Sequence, residues 1–223
     1  DSDSLFFSWF YDSPISHLGL KQVDQLGKFL SEKPTGGKEK SLIELLRSDP
    51  GAPSSKLLSS NLRRALSTMA ASFRYRLKAN PDEKILVVPS LQEISRNPDT
   101  LSITPAQKPT TPSFIDKETK ICDMEGIFVK QTDMSLHLGN KPMDTNGLKR
   151  MSEFCDFAFT LKEEALIIGG HSIWFRSFFK TYLPYSSTHV SKSKKVVNAG
   201  CIAFTLLKTE TAEGNRYMID ENS

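Results

Sequence analysis

The chain has 223 residues, 38% hydrophobic and 25% charged, enough to bury a core in one large domain or two small ones and too apolar to stay disordered. Its net charge of +3 is spread along the chain apart from a small cluster at Lys192, Lys194 and Lys195, which leaves nucleic-acid binding without electrostatic support. No apolar run approaches the roughly 18 to 20 residues of a membrane helix, and the opening DSDSLFFSWF lacks the basic flank of a signal peptide, so a soluble, cytoplasmic protein without a membrane partner is expected.

Cys122, Cys155 and Cys201 form no CxxC pair and leave an odd count, which argues against a disulfide framework and structural zinc and for a reducing compartment. The sequence begins at Asp1 rather than Met, and on this reading it is a processed or partial chain.

In chain order, Ser16 to Glu32 places Leu20, Val23, Leu26, Gly27 and Leu30 on one helical stripe behind a Ser16 N-cap, and Pro34, Gly36 and Gly37 stop that helix. A short helix around Leu42 to Arg47 and a turn-rich break lead to a buried strand at Lys56 to Ser59. A helix then runs from about Asn61 to Leu77, with Leu62, Ala65, Leu66, Met69 and Phe73 inward. Ile85 to Val88 is a continuous apolar run typical of a strand covered on both faces. Residues 97–139 show weak periodicity and frequent Thr, Pro and Ser, which predicts a long insertion with little regular structure, of the kind that forms lids.

Helical spacing returns from Thr145 to Leu161, through Leu148, Met151, Phe154, Cys155 and Ala158. Ala165 to Gly170 reads as a second fully buried strand, and Ser172 to Leu183 as a helix whose Trp174, Phe175, Phe178 and Phe179 belong to the core. Val196 to Leu207 reads as a long strand that pairs with Arg216 to Ile219 across a turn at Gly214. The alternation predicts an α/β fold: a three-layer α/β/α sandwich around a mostly parallel central sheet, in one domain over residues 1–223.

In open α/β sheets ligands bind beyond the C-terminal ends of the strands. Ser60, Asn61, Leu62, Arg63 and Arg64 follow the first strand, Leu91, Gln92 and Glu93 the second, and His171 and Ser172 the third. An arginine in the first turn of a helix offers its planar fork to a phosphate or carboxylate beside free N–H groups. A histidine after two glycines, which let an anion come close, can bind a phosphoryl oxygen or act as nucleophile or base, and a glutamate can protonate a leaving alkoxide. Together these are the parts of a phosphoryl-transfer site. Arg63 reads as an ordinary surface residue, Arg96 as a partner of Glu93 or a substrate contact, and His17 and His189 as exposed or capping. His137 falls in the insertion, with no partner at metal-ligand spacing.

These segments resemble the histidine phosphatase superfamily, in its phosphoglycerate-mutase-like branch. Asp12 to Gln22 is similar to that family's D-x-P-L-T-x-x-G-x-x-Q segment, and Ser60 to Thr68 to its S-x-L-x-R-A-x-x-T. Leu91 to Glu93 is similar to its L-x-E, Leu166 to Ser172 to its V-x-V-x-H-x, and Val197 to Cys201 to the N-x-x that leads into a late strand. The resemblance implies a phosphomonoesterase working without metal or cofactor on a phosphorylated small molecule or protein. His171 and Glu93 would be catalytic, and Arg64, His171 and Ser172 would bind phosphate. It also implies a nucleophilic histidine in an Arg-His-Gly at the end of a preceding strand, which this sequence does not contain. The nucleophile is therefore expected upstream of Asp1. The competing expectation is a catalytically inactive module of the same fold, with a phosphoglycerate-type mutase behind both. Asp99 and Asp116 are the alternative acids to Glu93.

Overall fold

The computed structural model describes residues 10–32, 38–142 and 146–223. The helix stop assigned to Pro34, Gly36 and Gly37 and the helix start at Thr145 lie outside them. Ser16 opens α1 (His17–Ser31): its hydroxyl accepts the Gly19 N–H at 3.0 Å, and Leu20, Val23, Gly27 and Leu30 face inward. Next come α2 (Lys38–Arg47), β1 (Ser55–Ser59), α3 (Arg63–Ser72), α4 (Arg74–Ala79) and β2 (Ile85–Val87), and then α5 (Phe114–Glu118), α6 (Met124–Lys130) and β3 (Thr132–Asp133). The chain finishes with α7 (Gly147–Ala158), β4 (Ala165–Gly169), α8 (Ser172–Tyr182), β5 (Leu206–Thr211) and β6 (Gly214–Ile219).

Four strands form one parallel sheet in the order β3-β2-β1-β4, and β5 and β6 form a separate antiparallel pair. Side chains alternate between faces, as strand geometry requires. Leu57, Ile85, Val87 and Ile167 join α1, α3 and α6 on one side, while Leu58, Leu86, Val88, Leu166 and Ile168 join α7, α8 and Ile219 on the other. The fold is thus α/β, with helices on both faces of an all-parallel sheet. Phe154, Trp174 and Phe178 anchor the second core, with the Trp174 and Phe178 rings stacked 4.9 Å apart. No helix among the described residues is long and apolar enough to cross a membrane.

Several expectations are corrected. The single helix from Asn61 to Leu77 is broken at Phe73 into α3 and α4. The insertion at 97–139 is irregular only in its first part. Ile115, Met124, Ile127 and Phe128 are core residues on α5 and α6, helices too short to give a readable period. Leu148 lies on the outer face of α7, 60% exposed. Residues 196–205 are not a strand: Val197 and Gly200 form a turn around Ala199 at φ 57°, and pairing with β6 begins only at Leu206. Finally, β4 is not buried on both faces, since four of its five residues are half-buried and, among the described residues, its hydrogen-bonded neighbour is β1 alone.

Candidate active site

The parallel order brings the ends of β1, β2 and β4 side by side, with β1 in the middle. Ser60 follows β1 and donates its backbone N–H to the Gly169 carbonyl at 3.0 Å, which ties the end of β1 to the end of β4. His171 leaves β4 as the N-cap residue of α8 in extended conformation. The residue is 6% exposed, and its Nε2 lies 2.8 Å from the Ser60 hydroxyl. Burial above all, and then the positive charges of Arg64, Lys141 and Arg150, hold the imidazole well below the ordinary histidine value, so it is neutral at pH 7.

Gly169 and Gly170 serve packing rather than anion approach. A Cβ on Gly169 would fall 2.4 Å from the Met69 side chain of α3, and one on Gly170 3.2 Å from the Phe175 ring of α8. The glycines let both helices close onto the strand end that presents His171.

Arg64 is the second residue of α3. Its guanidinium donates from Nη1 to the Asp99 carbonyl at 2.7 Å, with Nη2 at 3.7 Å from the Asp99 carboxylate. Arg63 is not an ordinary surface residue. Its backbone N–H donates to the Asp12 carboxylate at 2.9 Å and its Nε donates to the Asp12 carbonyl. Asp12 is fully buried at φ 46° and also accepts the Ile103 N–H at 3.2 Å. It thus fastens residues 10–12 and the loop at 103 to the start of α3, where no side chain of the helix's own provides a cap.

Glu93 follows the turn Pro89–Leu91 after β2 and is 5% exposed. It starts no helix. Its carboxylate accepts the Ile94 N–H at 2.8 Å and, more loosely, the Ile173 N–H in the first turn of α8 at 3.4 Å. Burial raises its pKa, and the two N–H groups and the charges of Arg64 and Lys141 oppose the rise. Ser172 is the half-buried first residue of α8, beside His171. The structure therefore brings Arg64, Glu93, His171 and Ser172 to one edge of the sheet.

Other residues lie away from this edge. Arg96 is exposed and forms no ion pair among the described residues, His17 is exposed, and His189 caps a short turn by accepting the Ser191 N–H. Asp116 is buried in the capping box of α5 and accepts from the Ser67 hydroxyl at 2.6 Å, a fixed structural role. Asp99 stands against Arg64. Lys192 donates to the Pro184 and Tyr185 carbonyls, whereas Lys194 and Lys195 are exposed.

A buried polar network went unread in the sequence. Asn61 donates to Gln92 Oε1 at 3.1 Å, and Gln92 donates to the Thr100 carbonyl at 2.7 Å and to Asn140 Oδ1 at 2.6 Å. His137, fully buried, has its Nε2 at 3.0 Å from the Thr104 carbonyl, which assigns the proton to that nitrogen. This network fastens the loop between Asn97 and Lys141 to the strand ends, so the segment is tied down rather than a free lid. A cleft of about 470 Å³ is lined in part by Gln92, Leu138, Lys141 and Arg150. Among the described residues no group of three or more His, Cys, Asp or Glu could hold a metal ion.

The assembled edge joins a guanidinium, a buried neutral imidazole, helix N–H groups and a carboxyl whose burial favours the protonated form. That set can bind an oxyanion and deliver a proton. Compared with protein families, curated proteins and solved structures, the chain matches none of them.

Proposed function

We propose that the chain works as a phosphomonoesterase of the histidine phosphatase type, phosphoglycerate-mutase-like in fold. The observation that carries this reading is the placement of Arg64, Glu93 and His171 at the same ends of three adjacent parallel strands, with Ser60 holding the His171 ring. Arg64, His171 and Ser172 receive the phosphoryl oxygens. A nucleophilic histidine nitrogen forms the N–P bond as the ester P–O bond breaks, and Glu93 gives its proton to the leaving alkoxide. Water then attacks phosphorus, the N–P bond breaks, and Glu93 takes the proton from water.

The nucleophile is supplied by a segment outside these 223 residues. The place of β4 supports this: among the described residues it pairs with β1 on one edge and is half-buried through four of five residues, so a further strand could pair with its other edge and end beside His171. The substrate is a phosphorylated small molecule or protein, and the free thiols Cys122, Cys155 and Cys201 suit a cytoplasmic setting.

The test is Glu93→Gln in the protein with its native flanking sequence. An alkyl phosphate has a poor leaving group and needs the acid, whereas an aryl phosphate departs as a stable anion. The variant is expected to lose ~10²-fold or more on the alkyl ester and much less on the aryl ester. Equal losses would remove Glu93 from the acid role. A second reading, a phosphate-binding module without turnover, is favoured by the positions of the other described histidines: His17 is exposed on α1, His137 is committed to Thr104, and His189 is a cap. Phosphate binding with no turnover of either ester would establish that reading.

A further inference from the structure

The backbone that carries Glu93 is held in an unusual way. Arg150, in the first turns of α7 and 7% exposed, donates from one nitrogen, Nη2, to the carbonyls of Pro89 at 2.9 Å, Ser90 at 3.3 Å and Gln92 at 2.6 Å. Its other terminal nitrogen, Nη1, is buried without a partner. Lys141, which lines the same cleft as Arg150, donates from Nζ to the carbonyls of Glu93 and Ser95 and to the Thr100 hydroxyl. The indole of Trp174 adds a bond to the Ser90 carbonyl at 2.9 Å. Five carbonyls between Pro89 and Ser95 are thus gripped by the two cations; those of Gln92 and Glu93 have no other donor among the described residues, whereas Pro89 also accepts the Gln92 N–H, Ser90 the Trp174 indole and Ser95 the Thr100 hydroxyl.

Neutral donors would satisfy those carbonyls at less cost, because burying a cation carries a desolvation penalty of several kcal/mol unless its charge is used. The penalty is visible in both groups: burial pushes Lys141 down to about 8 and depresses Arg150 as well. Leaving Nη1 unpartnered adds to it. A clamp that only shaped a loop would not need two charges. Both cations interact electrostatically with Glu93, and both bear on His171.

We propose that Arg150 and Lys141 are positioning residues for Glu93, a two-cation clamp that fixes the carboxyl against the start of α8 and stabilises the carboxylate left after proton transfer. This rests on the acid role given to Glu93 above. The charged and titratable groups facing Glu93 are Arg64 from α3, Lys141, Arg150 from α7 and His171 at the start of α8. Loss of one cation should destabilise the carboxylate, raise the Glu93 pKa and move the alkaline limb of kcat/KM to higher pH. Loss of hold on the carbonyls should misplace the acid and affect poor leaving groups most.

The experiment uses Lys141→Met, whose side chain is only half-buried, and Arg150→Lys, which keeps the charge but not the planar fork. Lys141→Met is expected to lower kcat on an alkyl phosphate by ~10-fold or more, a part of the whole general-acid effect, to lower aryl turnover by much less, and to shift the alkaline limb upward. Arg150→Lys should lose alkyl turnover while its alkaline limb stays near the wild-type position. Equal losses on both esters with unmoved limbs would reduce the pair to a structural brace. A carboxyl-carbon NMR titration of Glu93 reads the clamp independently of catalysis. A higher midpoint in Lys141→Met than in the parent supports the clamp even in a protein that turns over neither ester, and an unchanged midpoint overturns it. Absence of turnover in the parent, by contrast, counts against the phosphatase reading alone.

Discussion

β1 and β4 run side by side in full register, Ser55 opposite Ala165 through Ser59 opposite Gly169, yet they differ in a direction that composition does not suggest. β1, with two serines and a lysine among five residues, buries its last three completely. β4, with Ala, Leu, Ile, Ile and Gly, stays half-buried through four of five. The difference lies in neighbours. β1 has β2 on one side and β4 on the other, whereas β4, among the described residues, pairs with β1 alone. Burial of a strand is a property of its place in the sheet, and an apolar edge strand is where a parallel sheet asks for another strand.

Stability measurements can break that comparison. Leu58→Ala, at a position with no exposure in β1, is expected to cost about 2 to 5 kcal/mol in denaturant unfolding, and Ile168→Ala, half-buried in β4, clearly less. Repeating Ile168→Ala in the protein with its native flanking sequence sharpens the point. A cost that rises to match Leu58→Ala would mean that a strand covers the edge, and an unchanged cost would mean that the edge is open.

The two strands also differ in what their ends hold. Ser60 after β1 is locked by backbone bonds, whereas His171 after β4 is a buried neutral imidazole. Its folded-state pKa is depressed, so below the ordinary value of 6.5 the unfolded chain takes up a proton that the folded chain refuses. Stability should therefore fall as pH drops through and below that value, by up to about 1.4 kcal/mol per pH unit for one proton. His171→Asn should flatten this part of the profile. An identical slope in the variant would assign the loss to another group.

Much of this was legible from local pattern. The apolar periods of α1 and α8, the Ser16 cap, the buried run at Ile85 and the polar residues that follow each strand all have short-range causes. The failures came where the cause is tertiary. Asp12, Asn61, Gln92, His137, Lys141 and Arg150 are polar residues scattered over the chain, and nothing in their own neighbourhoods shows that the loop between Asn97 and Lys141 folds back to bury them. The helices α5 and α6 span too few turns to show a period. The half-burial of β4 depends on its neighbours in the sheet, and its own letters argue for the opposite.

The central claim is that an oxyanion is held between Arg64 and His171 at these strand ends. Phosphate and vanadate should raise the melting temperature, by an amount equivalent to about 2.7 kcal/mol at a hundredfold excess over Kd. Because Arg64 is partly exposed and, among the described residues, its guanidinium pairs with Asp99 alone, Arg64→Ala should leave the unliganded protein close to the parent. The decisive measurement is the ligand-induced shift in that variant. The account predicts that the shift disappears, and a shift equal to the parent's would place the anion elsewhere and contradict it.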